Sequence, residues 1–376
     1  MRRVVITGVG CITAAGVGTD PLRAALASDG PLGEILDIET VRGRRRPVRL
    51  ARLAPFDRQA VLPSRKLRRM GDLSQLWVIC CLLARSDAGW EGAGELLPPP
   101  EKRGTFLGTG FGCIDTTWEY VMGMLREGAA TANPYLFAES VDNAPAGHSA
   151  IELDTRGADI TLTCGDASAA TALDMAAQAV REGKLEMAYC GGVELMPEPL
   201  VRVLATLRSP AFLAEGGACL ILESLDLAKS RKARVYAEVA GSALGSDPKA
   251  PATDYSRDPG ALERVIRRAL ASAAGQDPVP VESIRKVFLH AAVGAPADSA
   301  ERAAVERICP GVPTQSVASK TGNLAAAGGL SLVAAAVEAG DPAAGAAPGA
   351  RLLLVNSFGW GGSLVSLVLR SADASH

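Results

Sequence analysis

Ile160-Thr-Leu-Thr-Cys-Gly-Asp166-Ala-Ser-Ala-Ala-Thr-Ala-Leu-Asp-Met-Ala176 is the stretch on which the fold turns. It opens as a short apolar, β-branched strand, passes through Cys-Gly-Asp as a tight turn and continues as an alanine-rich helix. The helix runs to Gly183, a stop signal. A second apolar strand then ends in Gly191-Gly192-Val193-Glu194. Strand, turn, helix and returning strand make a βαβ unit with Asp166 at the helix start.

Outward from this unit, residues 3–9 read as a strand and 20–28 as a short helix after Asp20. The segment 30–65 is expected to be irregular. Its Arg42-Gly-Arg-Arg-Arg46 knot reads as a solvated loop, with docking of an acidic protein as the alternative. Met70, Leu73, Leu76, Trp77 and Cys80 recur at helical spacing and predict an amphipathic helix over 68–88. Gly104–Gly112 reads as a strand leading into a helix from about Asp115, and Ala218–Glu223 as another strand. Near residue 236 a second body begins: strand Val235–Ala240, a loop with Asp247-Pro248 and Pro251, and helix 258–274. Strand 286–290, helix 298–308, a buried helix from 323 and strand Leu352–Asn356 complete it. The expected domains are 1–235 and 236–376, and strands alternating with helices predict a mainly parallel sheet covered on both faces.

Composition sets bounds on function. The chain has 376 residues, 48% of them hydrophobic and 21% charged, enough for an ample α/β core. A net charge of −2 offers no basic field for nucleic acid or an anionic membrane. The eight cysteines are scattered through apolar runs with no CxxC pair. They predict neither a disulfide framework nor a metal site, but buried thiols in a reducing cytoplasm. Met1-Arg-Arg-Val-Val-Ile-Thr-Gly-Val-Gly10 is interrupted by glycines and reads as a first strand rather than a signal peptide. The seventeen uncharged residues of 321–337 are mostly Ala, Gly and Ser, too short and too weakly apolar for a membrane span.

Six collinear segments resemble the β-ketoacyl-ACP synthases, which condense acyl chains on carrier proteins. They are the opening Arg3-Val-Val-Ile-Thr-Gly-Val-Gly10, the unit around Asp166, Asn143-Ala-Pro-Ala-Gly-His148, Val235-Tyr-Ala-Glu-Val239, Asp298-x-x-Glu301 and Asn356-Ser-Phe-Gly-Trp-Gly-Gly362. The resemblance covers essentially the whole chain. It implies an α/β, thiolase-like fold of two similar βαβαβαββ halves in an α-β-α-β-α layering. It also implies a catalytic set of Cys, His, His and Lys. Counting 28 residues back from Glu194 places Asp166 at the nucleophile's position. The first His is kept as His290; Asn323 follows Thr321-Gly322 where the second His belongs, and Ala318 stands in the Lys position with Lys320 off register. The loop between Glu194 and Gly217 is shorter than in the synthases.

A carboxylate forms no thioester that survives to be condensed, and Asn323 carries no titratable proton for the enolate step. Asp166 is therefore expected to act as a helix N-cap, and Asp166, His290 and Asn323 as vestigial positions. His148 reads as structural and His376 as a tail residue. The resemblance is strongest to the chain-length factors of type II polyketide synthases, silent subunits that pair with an active ketosynthase in a heterodimer and shape its elongation tunnel. It implies that Phe111, Cys113, Ile114, Asp115, Thr116 and Trp118 line that tunnel, with Phe111, Ile114, Asp115 and Trp118 on one helix face. It further implies that the carrier protein's phosphopantetheine arm enters the partner, with no cofactor bound directly. The alternatives are a malonyl-ACP decarboxylase, a synthase using Cys164, and a scaffold or binding protein of the same fold.

Overall fold

In the computed structural model of the chain, the described residues are 2–91, 96–207, 211–274, 278–292, 294–295, 297–322, 327–341 and 351–372. Their frame is an eleven-stranded sheet. Val4–Thr13 lies at its middle and pairs antiparallel with Ala237–Ser246. Beyond Val4–Thr13 come Gly216–Ser224, Met187–Glu194, Arg103–Gly108 and Asp159–Leu162. Beyond Ala237–Ser246 come Ser363–Ser371, Leu352–Phe358, Ile284–Leu289 and Thr314–Ser316. Numbered within its own half, each set of strands has the order 1-5-4-2-3 from the centre outward. In both halves the 1-5 and 5-4 contacts are antiparallel, and the 4-2 and 2-3 contacts parallel. The topology therefore repeats although the letters do not.

The expectation of a mainly parallel sheet is corrected by this order. In the second half the cause is local: only the short Trp360–Gly362 turn separates Leu352–Phe358 from Ser363–Ser371. Such a turn joins antiparallel neighbours, since a parallel return needs a crossover.

Two helices, Ser168–Arg181 and Ala327–Ala339, pack on each other and touch strands of both halves. Packed between strands of both halves they are rich in small residues, and Ala169, Ala170, Ala172, Ala176, Ala177, Ala335 and Ala336 are all fully buried. Outside them, Asp72–Asp87 with Ala144–Leu153 covers the first half, and Pro259–Ala274 with Asp298–Ile308 covers the second. The result is the α-β-α-β-α layering expected of the thiolase-like fold. Among the described residues no helix is long and apolar enough to cross a membrane.

The segment 30–65 departs from expectation. Glu34–Glu39 and Arg45–Ala51 form a hairpin, and Ala211–Ala214 adds a third strand parallel to the second. Leu36, Ile38, Val48 and Leu50 pack with Leu200, Val201 and Leu204 of helix Glu198–Leu207. The arginines masked this alternation in the sequence. Arg45 pairs with Asp37 at 2.6 Å and Arg46 donates to the Ala205 carbonyl at 3.4 Å, leaving Arg42 and Arg44 in the exposed turn. Most other elements fall within a few residues of expectation; strand Val4–Thr13 runs on past residue 9, and strand Ala237–Ser246 starts later than 235 and continues past 240.

The opening Thr-Gly-Val-Gly has a steric purpose. A Cβ on Gly8 would lie 2.4 Å from the Ala84 carbonyl oxygen, and one on Gly10 2.4 Å from that of Cys80. Both glycines let helix Asp72–Asp87 press against the central strand. Overpacking such a seam costs about 1–3 kcal/mol. Gly10→Ala should lower the unfolding free energy measured by urea titration by that amount without altering the far-ultraviolet spectrum, whereas an unchanged free energy would show that the helix moves away freely.

Candidate functional site

The turn at the start of helix Ser168–Arg181 is built from backbone and one serine. Gly165 takes φ +61°, a conformation that favours glycine, between the strand and the 3-10 turn Gly165–Ala167. Ser168 Oγ accepts the Cys164 N–H at 2.8 Å and lies within donating distance of the carbonyls of Gly165 (2.6 Å) and Thr109 (2.9 Å). Strand Arg103–Gly108 stops short of the expected Gly112 because it meets this turn. A Cβ on Gly108 would stand 2.4 Å from the Ala169 nitrogen.

Asp166 is 5% exposed and does not serve as the helix N-cap, which is Ala167. That expectation is corrected. The Asp166 carboxylate instead accepts a hydrogen bond from the Tyr255 hydroxyl, and its backbone carbonyl accepts from Ser357 Oγ at 3.0 Å. Both partners come from the second half of the chain, so the turn is clamped across the seam. The Tyr255 and His290 rings stand roughly perpendicular with centroids 5.0 Å apart, and His290 lies 5.2 Å from the Phe358 ring centre. Sequence reasoning placed Asp166 and His290 in one site but missed Tyr255 and Phe358. No pattern surrounding Asp254-Tyr255-Ser256 signals a contact 89 positions away. Asn323 lies outside the described residues, as does His376. Ala318 is buried, while Lys320 donates to the Ser28 carbonyl, its ammonium tied to that distant loop.

Two buried glutamates frame the site. Glu194 accepts the Gly110 N–H at 2.7 Å, and burial raises its carboxyl to about 8, with the Asp166 charge adding to the effect. Glu301 accepts from the His290 N–H (3.0 Å), the Ala291 N–H (2.9 Å) and Asn356 Nδ2 (2.9 Å), and burial raises it to about 7. Asp298 accepts the Gly294 N–H at 3.1 Å. The Asp298-x-x-Glu301 motif thus holds the loop after strand Ile284–Leu289. His148 contacts Glu139 at 2.7 Å, and Glu139 accepts the Gly71 N–H at 2.9 Å, the structural role expected of it.

Cys164 is half-buried and burial raises its thiol, the reverse of what activates a nucleophile. The other seven cysteines are buried and unpaired in disulfides. Among the described residues no cluster of His, Cys, Asp and Glu fits a metal ion.

The six positions expected to line a tunnel separate. Phe111 packs edge-on against Trp360 at 6.1 Å and joins Ile114 in the cluster around Met196 and Leu200. Cys113 belongs to the core beneath helix Asp72–Asp87, and Thr116 is buried. Asp115 is partly covered, and burial raises its carboxyl. Trp118 is 50% exposed. The expected single helix face is corrected: the helix begins at Ile114, and Gly112 at φ +61° turns the chain between it and Phe111. Trp118 instead joins an exposed apolar row with Val121, Leu125, Tyr135, Phe137 and Val141.

Between its usual value of 4.5 and about 8, Glu194 holds a proton in the folded chain that the unfolded chain releases. Stability from this group is fully present below that window and is lost as pH rises through it. Glu194→Gln keeps a carbonyl acceptor and does not titrate. The melting temperature of the parent chain minus that of the variant should fall steadily from about pH 5 to about pH 8. A pH-independent difference would show that Glu194 is not a buried acid.

The comparisons with known proteins agree with this geometry. The sequence profile of the β-ketoacyl synthase N-terminal domain matches residues 1–219, and that of the C-terminal domain residues 236–339. A 3-oxoacyl-[acyl-carrier-protein] synthase I, chloroplastic, of Arabidopsis thaliana is 25% identical over 359 residues, covering 89% of this chain and 74% of that protein. A β-ketoacyl synthase from Burkholderia phymatum superposes with a TM-score of 0.82 at 24% identity, covering 99% of this chain and 100% of the other. The ishigamide ketosynthase/chain length factor superposes at 0.81 with 22% identity and the same coverage. With its six collinear segments, repeated half-topology and matching profiles, the chain belongs to the β-ketoacyl synthase family.

Proposed function

We propose that this chain is a non-condensing subunit, a chain-length factor that pairs in the cytoplasm with an active ketosynthase of the same fold and shapes the tunnel for polyketide elongation. The observation that carries the proposal is Asp166. A buried carboxylate bonded to Tyr255 stands at the helix start where the family keeps its thiol. It offers no sulfur for acyl transfer, and Ala318 supplies no cation. The carrier protein's phosphopantetheine arm accordingly serves the partner. The exposed row from Trp118 to Val141 supports the pairing, because a monomer gains nothing from half-exposed Trp118, Leu125 and Phe137 on neighbouring helices. Helix Ala144–Leu153 connects this row to the edge strand Asp159–Leu162, whose outer backbone is open to a twin strand. Phe111, Ile114, Asp115 and Trp118 are assigned to the tunnel floor.

The rival reading is an ordinary condensing synthase, as the Arabidopsis relative is named. It requires Cys164 as nucleophile. Intact-mass spectrometry after incubation with acyl carrier protein separates the two. No acyl adduct is expected on this chain, and Asp166→Cys alone is expected not to restore condensation; a stable adduct on Cys164 overturns the proposal.

Co-expression with a Cys-containing relative should yield a one-to-one complex, and Phe137→Asp should weaken it about tenfold or more, as loss of a central aromatic anchor does. Two independent sedimenting species for the parent pair would rule the pairing out. Phe111→Ala or Trp118→Ala should lengthen the products made by the pair, and a change in yield alone would return both residues to a packing role.

A further inference from the structure

Four side chains meet above the start of helix Ser168–Arg181, and all are nearly sealed from solvent. Asp166 is 5% exposed, Tyr255 7%, His290 4% and Phe358 1%. Tyr255 comes from the chain segment between strand Ala237–Ser246 and helix Pro259–Ala274, which is fastened at several points. The Asp247 N–H donates to the Gly362 carbonyl at 2.9 Å, and the Gly361 N–H meets the carbonyls of Pro251 and Asp254 at 3.2 Å. Ser256 Oγ donates to Asp247 at 2.6 Å, and the Gly260 N–H to Asp258 at 2.9 Å. A Cβ on Gly362 would lie 2.2 Å from the Asp247 carbonyl oxygen. The glycine-rich turn thus holds down the strap that delivers the phenol.

We propose that Tyr255 is a built-in plug. Its ring fills the space that a carrier-borne thiol or acyl chain needs to reach position 166, and its hydroxyl is anchored on Asp166. An ordinary core aromatic would be expected among apolar neighbours. This one aims its only polar atom at a carboxylate of the opposite half, so that two groups costly to bury alone satisfy each other. The closure is separate from the loss of the thiol: a nucleophile restored at 166 would still be out of reach. The inference rests on placing Asp166 at the family's nucleophile position, but it concerns access and not condensation.

Thiol alkylation reads access directly. The full-length chain carrying Asp166→Cys is treated with iodoacetamide, and modification is followed by peptide mass spectrometry, with Cys164 as the internal reference. The thiol introduced at position 166 should react no faster than Cys164. In the Asp166→Cys, Tyr255→Ala double variant it should react about tenfold faster or more, since burial is what keeps a structural cysteine inert. The Asp166→Cys, Tyr255→Phe variant keeps the ring and should remain slow; circular dichroism checks that each variant is folded. Rapid labelling of the single variant overturns the plug, as does a slow thiol in the folded Tyr255→Ala background or a fast one in the Tyr255→Phe background. Fast labelling without condensation would remove the plug and leave the silent-subunit reading standing. An acyl adduct on Cys164 of the parent chain would do the opposite.

Discussion

The rest of this molecule is arranged around two helices that are buried along most of their length. Ser168–Arg181 and Ala327–Ala339 lie against each other and against strands from both halves, and among their described side chains only Gln178 is exposed. Alanines fill most of the contacts between these helices and the strands, and close packing leaves no slack to absorb an extra methylene. The glycine at the end of strand Arg103–Gly108 obeys the same limit where the strand meets the first helix. The turn leading into the first helix is less constrained by this packing.

The polar frame around Asp166 and His290 is built from residues that take no part in acyl transfer. Glu194 and Glu301 each hold backbone N–H groups of the loop after the second strand of their own half. Asn356 links Glu301 to Ser366 in the neighbouring strand, so the contact also fixes strand register. Removing such an acid would leave buried donors unpaired, which costs more than the bond itself contributes. On the silent-subunit proposal, the site would keep its loops in place without a thiol or a cation, because different residues perform the two tasks.

The sequence made the repeating βα units, the buried alanine helices and the position of Asp166 legible, because these depend on periodicity, glycine placement and local turns. It hid whatever depends on the meeting of distant segments. Tyr255 sits in a loop whose letters look like any turn, and its partner is in the other half. The hairpin Glu34–Ala51 was obscured by a run of arginines that alternate in orientation but not in character. The antiparallel fifth strand of each half is likewise a matter of connection, which hydrophobic runs do not encode.

The two ends of the great sheet are unlike. At one end Asp159–Leu162 offers four residues with partly exposed side chains, backed by the apolar row on the neighbouring helices. At the other, Thr314–Ser316 is three residues long and wholly polar. A sheet that extends only from its first edge stops growing once that edge finds a counterpart, because the pair then presents two short polar rims to solvent. Fibrous growth by strand addition needs a receptive edge at both ends. Among the described residues only the first of these edges suits strand addition, so the same geometry would confine the proposed assembly to two chains.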